Sequence, residues 1–165
     1  MNDEIVPVVA QIADELLTRQ WMLVVAESCT GGGVAQALTS LPGSANWFER
    51  GFVTYSNLSK KEMLGVDGDL ISQHGAVSLA VVAAMAQGAL VHSVANISLA
   101  ISGIAGPGGG ALDKPVGTIC FSWALNSINY SSELIVFKGN RNSIRQQAVL
   151  YGLRGMLSVL EEIEA

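Results

Sequence analysis

One long segment of the chain carries no charge: no Asp, Glu, Lys or Arg occurs from position 70 to position 112. Its middle part, residues 76–95, is rich in alanine and valine and is long enough to cross a bilayer as a helix. However, it includes Ser78, Gln87 and His92 and has no aromatic or basic flank. A helix that is apolar nearly all round is buried in a membrane or in a layered protein core. We predict the protein core, with part of this alanine-rich helix available for packing in a homo-oligomer.

Short apolar runs alternate with segments of helical spacing along the chain. Strands are predicted at residues 21–26, 52–55, 97–101, 118–125 and 130–137, the last two joined as a hairpin at Asn126 and Ser127. Helices are predicted after Asp3, over residues 34–41, from Ser56 or Asn57 to Gly65, from Ser78 to about residue 94, and from Asn140 or Asn142 to about residue 160. This order predicts an α/β fold: a three-layer α/β/α sandwich with a mixed sheet that includes a late antiparallel hairpin, in one domain over residues 1–165.

Composition argues against several classes of protein. Half of the residues are hydrophobic and 14% are charged, whereas disordered chains have few hydrophobic residues and a high net charge. The net charge of −5 makes nucleic-acid binding unexpected, because that function usually needs a basic surface. Cys29 and Cys120 are too few for a disulfide framework or a closed zinc site. So few cysteines fit a reducing cytoplasm, and the N-terminus has no basic region of a signal peptide. We therefore expect a cytoplasmic protein without a membrane segment. We also expect neither a metal nor a cofactor.

The first candidate site is the turn Ser28-Cys29-Thr30-Gly31-Gly32, between a predicted strand and a predicted helix. Glycines allow a sharp turn, and the free N–H groups of the next helix suit a phosphate or an oxyanion. A hydroxyl or a thiol on such a turn can be a nucleophile, so that Ser28 and Cys29 are both candidates. A structural alternative is that Ser28 or Thr30 only caps the helix. The turn matches neither G-x-x-x-x-G-K-[ST] nor G-x-G-x-x-G, which argues against a standard nucleoside triphosphate site.

A nucleophilic serine needs a base, and the sequence leaves two candidates. His74 is the histidine that could complete a Ser-His-Asp triad, because His92 falls inside the apolar helix. Lys60 follows a strand end closely, and burial could lower its pKa enough for a base. The structural alternative is that Lys60 and Lys61 form an ordinary solvated helix face.

Two further features indicate ligand binding. The loop at residues 102–110 is long and rich in glycine, as binding loops at the ends of strands often are, although a mere surface loop is the alternative. Three cations, Lys138, Arg141 and Arg145, lie close together at the predicted start of the last helix, where the helix dipole disfavours them. An anionic ligand would explain this cluster, and so would a set of surface ion pairs.

Six motifs together give the chain a family resemblance. They are AESCTGG at 26–32, YSNLSKKEMLGV at 55–66, HGAVS at 74–78, SGIAGPGGG at 102–110, KPVGT at 114–118 and FKGNRNSIR at 137–145. In this order they resemble the C-terminal domain of the CinA (competence/damage-inducible protein) family over nearly the whole chain. The chain is similar to the stand-alone nicotinamide-nucleotide amidases of that family, because it does not match the N-terminal domain of full-length CinA proteins.

This resemblance implies a serine amidase without a metal that hydrolyses the carboxamide of nicotinamide mononucleotide to nicotinate mononucleotide and ammonia, in pyridine nucleotide salvage. The family's serine falls on Ser28, its lysine on Lys60, and its tyrosine on Tyr55, which is expected to orient Lys60 or relay its proton. The N–H groups of Thr30 to Gly32 are expected to stabilise the oxyanion. The expected substrate-binding residues are Thr30, Gly31, Gly32, Ser102, Gly103, Ala105, Gly106, Arg141 and Arg145.

Two other functions remain open. The chain could be a non-catalytic nucleotide-binding or protein-interaction module of the same fold, or an amidase for another small amide. The joint presence of Ser28, Tyr55 and Lys60 favours an enzyme.

Overall fold

A computed structural model describes residues 2–163, so that Met1, Glu164 and Ala165 of the predicted domain lie outside the described residues. Residues 2–163 form six α-helices, one short 3-10 helix at Ser44–Asn46, and five strands. The helices are α1 (Ile5–Arg19), α2 (Gly33–Thr39), α3 (Asn57–Leu64), α4 (Gly68–His74), α5 (Leu79–Val91) and α6 (Arg141–Glu162). The strands are β1 (Leu23–Glu27), β2 (Phe48–Val53), β3 (Ile97–Gly103), β4 (Thr118–Leu125) and β5 (Ile128–Val136).

The five strands form one mixed sheet in the order β2-β1-β3-β4-β5. Strand β1 is parallel to both of its neighbours, β2 and β3, whereas β4 is antiparallel to β3 and to β5. The turn between β4 and β5 has Asn126 at φ 48° and Ser127 at φ 69°, the left-handed pair that suits a two-residue hairpin. The mixed sheet and its late hairpin are thus confirmed.

Helices cover both faces of this sheet. Helices α1, α2 and α6 pack on one face, against residues such as Leu23 and Val25 of β1. Helices α3, α4 and α5 pack on the other face, against residues such as Val24 and Ala26. Because both faces are covered, all five residues of β1 are buried, which explains the nearly continuous apolar run in the sequence. The predicted three-layer α/β/α sandwich is confirmed.

The parallel strands bring three loops to one edge of the sheet. Beyond the end of β1, the Ser28 N–H donates to Ile101 O at 2.9 Å, and beyond the end of β2 the Thr54 N–H donates to Glu27 O at 2.8 Å. The segments that follow β1, β2 and β3 therefore start side by side. In open α/β sheets, ligands bind in the crevice outside this carboxyl edge.

Several element boundaries differ from the prediction. Strand β2 begins at Phe48 because its pairing with β1 starts there, and it ends before the predicted residues 54 and 55. Helix α4 was not predicted; the Asp67 side chain caps it by accepting from the Asp69 N–H. Helix α5 ends at Val91, earlier than predicted, and no helix among residues 2–163 is long and apolar enough to cross a membrane.

Candidate active site

Ser28 is the first residue after β1 and begins a tight turn into α2. The Gly31 N–H donates to Ser28 O at 3.0 Å and closes this turn. Gly31 and Gly32 have φ values of +59° and +99°, which side chains rarely tolerate, so the two glycines make the turn possible. The turn presents Ser28 to the cavity at the carboxyl edge of the sheet.

Lys60 reaches Ser28 from the first turns of α3. The Ser56 side chain caps this helix by accepting from the Ser59 N–H, which fixes the start of the helix four residues before Lys60. The Lys60 side chain is 1% exposed, and its Nζ lies 3.0 Å from Ser28 Oγ. Lys60 is therefore not part of a solvated helix face, which was the structural alternative.

Two carbonyl groups complete the surroundings of the amine. Lys60 Nζ donates to Thr54 O at 2.8 Å and to Tyr55 O at 3.2 Å. A neutral amine has two N–H donors and one lone pair, so these two carbonyls take both donors and leave the lone pair for the Ser28 hydroxyl. Burial lowers the pKa of Lys60, and the neighbouring Cys29 thiol opposes this shift by its charge when ionised. The arrangement suits a lysine that accepts the proton of Ser28.

Cys29 lines the same cavity but has different chemistry. Burial raises the pKa of the Cys29 thiol to about 12, so the thiol stays protonated at neutral pH. The thiolate is the nucleophilic form of cysteine. Of the two candidate nucleophiles, Ser28 is the one that contacts the buried amine.

A cavity of about 270 Å³ surrounds this pair. It is lined by Ser28, Cys29, Tyr55, Asn57, Lys60, Ala76, Val77, Ser102, Gly103, Ile104, Ala105, Gly106, Gly108, Gly109 and Arg141. Two larger cavities, of about 320 and 420 Å³, lie elsewhere, and among residues 2–163 neither is lined by a lysine, a cysteine or a histidine. The smaller cavity is the one in which a serine hydroxyl contacts a buried lysine amine.

The glycine-rich loop after β3 forms one wall of the cavity. Ser102 is buried, and its hydroxyl donates to Ala76 O at 2.8 Å. This hydrogen bond holds the segment at Ala76, which also lines the cavity, against the loop. A side chain at Gly103 would lie 2.3 Å from Ile119 Cδ1, so only glycine fits between this wall and β4. Ala105 and Gly106 complete the predicted set on this wall.

Arg141 and Tyr55 form the rim of the cavity. The Arg141 guanidinium donates to Gly106 O at 2.7 Å and to Tyr55 Oη at 2.9 Å. The Tyr55 side chain is 58% exposed, and only its backbone carbonyl contacts Lys60. The expected role of the Tyr55 hydroxyl in orienting Lys60 is therefore not supported by a contact.

Several predicted site residues do not line this cavity. Thr30, Gly31 and Gly32 lie in the turn behind Ser28, and Arg145 borders another cavity instead. His74 is exposed at the end of α4, where its carbonyl accepts from Lys114 Nζ at 3.0 Å. The structure thus offers Lys60, and not His74, as the base next to Ser28.

The start of α2 is not free for an anionic ligand. The Glu27 carboxylate is buried and accepts from the Val34 N–H at 2.8 Å and the Ala35 N–H at 3.1 Å. A negative charge at this end also complements the helix dipole. The sequence pattern indicated free helix N–H groups here, but the Glu27 side chain, at the end of β1, accepts hydrogen bonds from two of them.

Sequence reasoning missed six of the residues that line the cavity, namely Asn57, Ala76, Val77, Ile104, Gly108 and Gly109. Three of them belong to the glycine-rich loop, which was singled out as a whole. Asn57, Ala76 and Val77 lie within the matched motifs but beside the residues chosen. Among residues 2–163, no group of three or more His, Cys, Asp or Glu side chains is placed to hold a metal ion.

Comparison with known proteins decides the family. The model of the CinA C-terminal domain matches residues 6–160. The chain belongs to the CinA C-terminal domain family. The fold agrees, because the CinA C-terminal domain protein is similar to a solved competence/damage-inducible protein, CihA from Agrobacterium tumefaciens, with a TM-score of 0.94, 38% identity and 98% of each chain covered.

Two curated relatives carry the name nicotinamide-nucleotide amidohydrolase PncC. The one from Escherichia coli K12 is 45% identical over 153 residues, which are 93% of this chain and 93% of the relative. The one from Pseudomonas putida is 45% identical over 157 residues, 95% of this chain and 98% of the relative. This member of the CinA C-terminal domain family is thus similar, over nearly its full length, to proteins named for a hydrolytic activity.

Proposed function

We propose that this protein hydrolyses the carboxamide of nicotinamide mononucleotide to nicotinate mononucleotide and ammonia, as a step of pyridine nucleotide salvage. The contact between Ser28 Oγ and the buried Lys60 Nζ, inside a cavity, is the observation that carries the chemistry. The names of the relatives supply the substrate class. A non-catalytic binding module would have no need for a buried lysine against a serine hydroxyl.

The first half of the reaction releases ammonia. Lys60 takes the proton of Ser28 as Oγ attacks the carboxamide carbon. Lys60 then returns this proton to the departing nitrogen, the C–N bond breaks, and the acyl group remains on Ser28 as an ester. Because the same amine takes and returns the proton, no second acid is required.

The second half of the reaction releases the product. Water attacks the ester carbon while Lys60 takes its proton, and the bond to Ser28 Oγ breaks. The proton returns to Ser28, which restores the starting state. The net change is the addition of one water to the amide, giving a carboxylic acid and ammonia, which exchange a proton to leave a carboxylate and ammonium.

The oxyanion of both steps needs N–H donors near Ser28. Of the expected set, the Gly31 N–H already donates to Ser28 O. The N–H groups of Thr30 and Gly32 have no acceptor among residues 2–163. We therefore assign the oxyanion to these two N–H groups rather than to residues 30–32 as a whole, with Thr30 the nearer to Ser28 along the chain. In known enzymes, one such donor contributes about 3–4 kcal/mol to lowering the barrier.

The rim suits the two charges of the proposed substrate. Tyr55 presents an exposed aromatic ring, and a pyridinium ring is a cation of the kind that aromatic faces attract. Arg141 has no carboxylate partner among residues 2–163 and lies where a phosphate could reach it. The loop at Ser102, Gly103, Ala105 and Gly106 forms the wall beside the reacting carboxamide.

The test is ammonia release by the purified protein from nicotinamide mononucleotide, nicotinamide riboside, nicotinamide and glutamine. We expect release from the mononucleotide with the highest kcat/KM, accompanied by one equivalent of nicotinate mononucleotide. Release from another amide alone would assign a different substrate, and no release from any of them would support the binding-module alternative.

A homo-oligomer stays a prediction. Its support is a set of large apolar side chains that are exposed near the ends of α5 and on β5, including Leu79, Val91, Leu134 and Val136. Sedimentation velocity of the purified chain tests it, and a single species with the mass of one chain would contradict it.

A further inference from the structure

Arg145 lies behind the turn that carries Ser28, on the side away from the catalytic cavity. From α6, its Nε donates to Cys29 O at 3.0 Å and its Nη2 donates to Thr30 O at 3.2 Å. Its guanidinium has no carboxylate partner among residues 2–163 and lines the cavity of about 320 Å³ on that side. Its predicted partner was a substrate phosphate, but its observed partners are two backbone carbonyls.

The two carbonyls are held to different degrees. Thr30 O also accepts from the Gly33 N–H at 3.0 Å, so the turn itself fixes it. Cys29 O has no other donor among residues 2–163. Among residues 2–163, Arg145 is thus the one donor to the carbonyl of the Cys29–Thr30 peptide, which is the central peptide of the turn that Gly31 N–H and Ser28 O close.

The orientation of this peptide determines where an N–H donor points. In a trans peptide the carbonyl and the N–H lie on opposite sides of the bond. With Cys29 O turned towards Arg145, the Thr30 N–H points to the opposite side of the turn, towards Ser28 and Cys29, which line the catalytic cavity, while the remainder of Thr30 borders the cavity on the Arg145 side. The Thr30 N–H has no acceptor there among residues 2–163, although Thr30 is only 1% exposed.

We infer that Arg145 is a positioning residue for the amidase reaction, which holds the Cys29–Thr30 peptide so that the Thr30 N–H stabilises the oxyanion. The inference rests on the proposed function. Without the guanidinium, Cys29 O loses its donor, so the central peptide of the turn can tilt and carry the Thr30 N–H away from the oxyanion. Binding of the planar amide in the ground state does not need this donor, so the loss falls on kcat and not on KM.

The test uses Arg145→Met, which keeps much of the packing, and Arg145→Lys, which keeps the charge and one donor. Arg154→Met is the matched control, because Arg154 lies on the same helix and pairs with Glu4 at the surface. Values of kcat and KM are measured for nicotinamide mononucleotide and nicotinamide riboside, together with Kd for nicotinate mononucleotide. Circular dichroism confirms that each variant is folded.

We expect Arg145→Met to lower kcat about 10- to 100-fold on both substrates, because complete loss of an oxyanion donor costs about 10²–10³-fold and here the donor is displaced rather than removed. KM and the Kd of the product stay within about threefold of wild type, and Arg145→Lys retains more kcat than Arg145→Met. The control variant keeps wild-type kinetics.

Two results overturn the inference alone, provided that the wild type is active. One is a KM that rises more than tenfold for the mononucleotide only, which would make Arg145 a phosphate ligand. The other is an unchanged kcat in a folded Arg145→Met protein. A wild type and an Arg154→Met control that both release no ammonia would instead overturn the proposed function, and the inference with it.

Discussion

Ser28 and Cys29 are adjacent, and the environment of each side chain decides which one is the nucleophile. Burial raises the pKa of the Cys29 thiol to about 12, whereas Ser28 Oγ lies 3.0 Å from Lys60 Nζ. We expect Cys29→Ala to keep activity within about threefold of wild type, as for a buried cysteine that acts as a small apolar side chain. Iodoacetamide at pH 7.5 should not inactivate the wild type. A folded but inactive Cys29→Ala protein would contradict the assignment of Ser28.

Lys60 gives the reaction its expected pH dependence. In the proposed mechanism the neutral amine is the base, and its fraction increases as pH rises through the pKa, which burial lowers from 10.5. Hence kcat/KM should rise with pH up to this lowered pKa and stay level above it. In Lys60→Arg the rising limb should be absent and kcat should be about 10²–10⁴-fold lower than in the wild type, because a guanidinium stays protonated.

The matched variant for the base is His74→Ala. His74 is exposed and does not line the cavity, so its loss should leave the rising limb of the pH profile intact. The measurement is kcat/KM between pH 6 and pH 10 for the wild type and the two variants. An active Lys60→Arg protein beside a folded, inactive His74→Ala protein would contradict a lysine base.

The residues of the candidate site show how much of it could be predicted from the sequence. Ser28 and Lys60 could be assigned from the family motifs, but their contact could not, because the two residues meet only through the pairing of β1 with β2. Arg141 and Arg145 are one helical turn apart, yet they face different cavities. Their spacing could not show that the backbone carbonyls of Cys29 and Thr30 would occupy the second arginine.

At the scale of elements, the position of α3 determines the position of Lys60, and Gly88 sets the distance between α3 and α5. A Cβ atom on Gly88 would lie 2.0 Å from Leu64 O, at the end of α3. Gly88→Ala should therefore push α3 outward, in spite of the better helix propensity of alanine. We expect a loss of about 1–3 kcal/mol in the free energy of unfolding.

The displacement of α3 should also lower kcat, because Lys60 Nζ would move away from Ser28 Oγ. Urea unfolding and kcat are measured for Gly88→Ala beside Gln87→Ala, a control at the neighbouring, partly buried position of α5. Equal stability and kcat in the two variants would mean that the close approach of α5 to α3 does not position Lys60.

Elements with a long hydrophobic pattern were predicted from the sequence. Elements whose bounds depend on strand pairing or on a capping side chain were not. The caps Ser56, Ser78 and Asn140 were all among the predicted ones, and each accepts from a backbone N–H of its helix. The start of β2 at Phe48 depends on its pairing with β1, and the short helix α4 depends on the Asp67 cap, neither of which gives a periodic signal. Periodicity alone could not reveal them.

At the scale of the whole molecule, α6 and the loop after β3 meet at the rim of the candidate site. Arg141 joins both to Tyr55 and has no carboxylate partner among residues 2–163. We expect Arg141→Ala to raise KM for nicotinamide mononucleotide about 10- to 100-fold, as for the loss of a charge-assisted hydrogen bond of about 1.5–3 kcal/mol. KM for nicotinamide riboside should change much less.

The matched control is Lys138→Ala, which removes a nearby exposed cation that does not line the cavity. Its KM for the mononucleotide should remain close to that of the wild type. Equal losses on the two substrates by Arg141→Ala would show that this arginine supports the rim rather than the phosphate.

The most direct test of the whole account is ammonia release from nicotinamide mononucleotide by wild type and Ser28→Ala at equal concentrations of folded protein. The account predicts that the wild type converts the substrate completely and that Ser28→Ala is slower by about 10³-fold or more, as for other enzymes that lose the nucleophile. A Ser28→Ala protein that releases ammonia at the wild-type rate would contradict it.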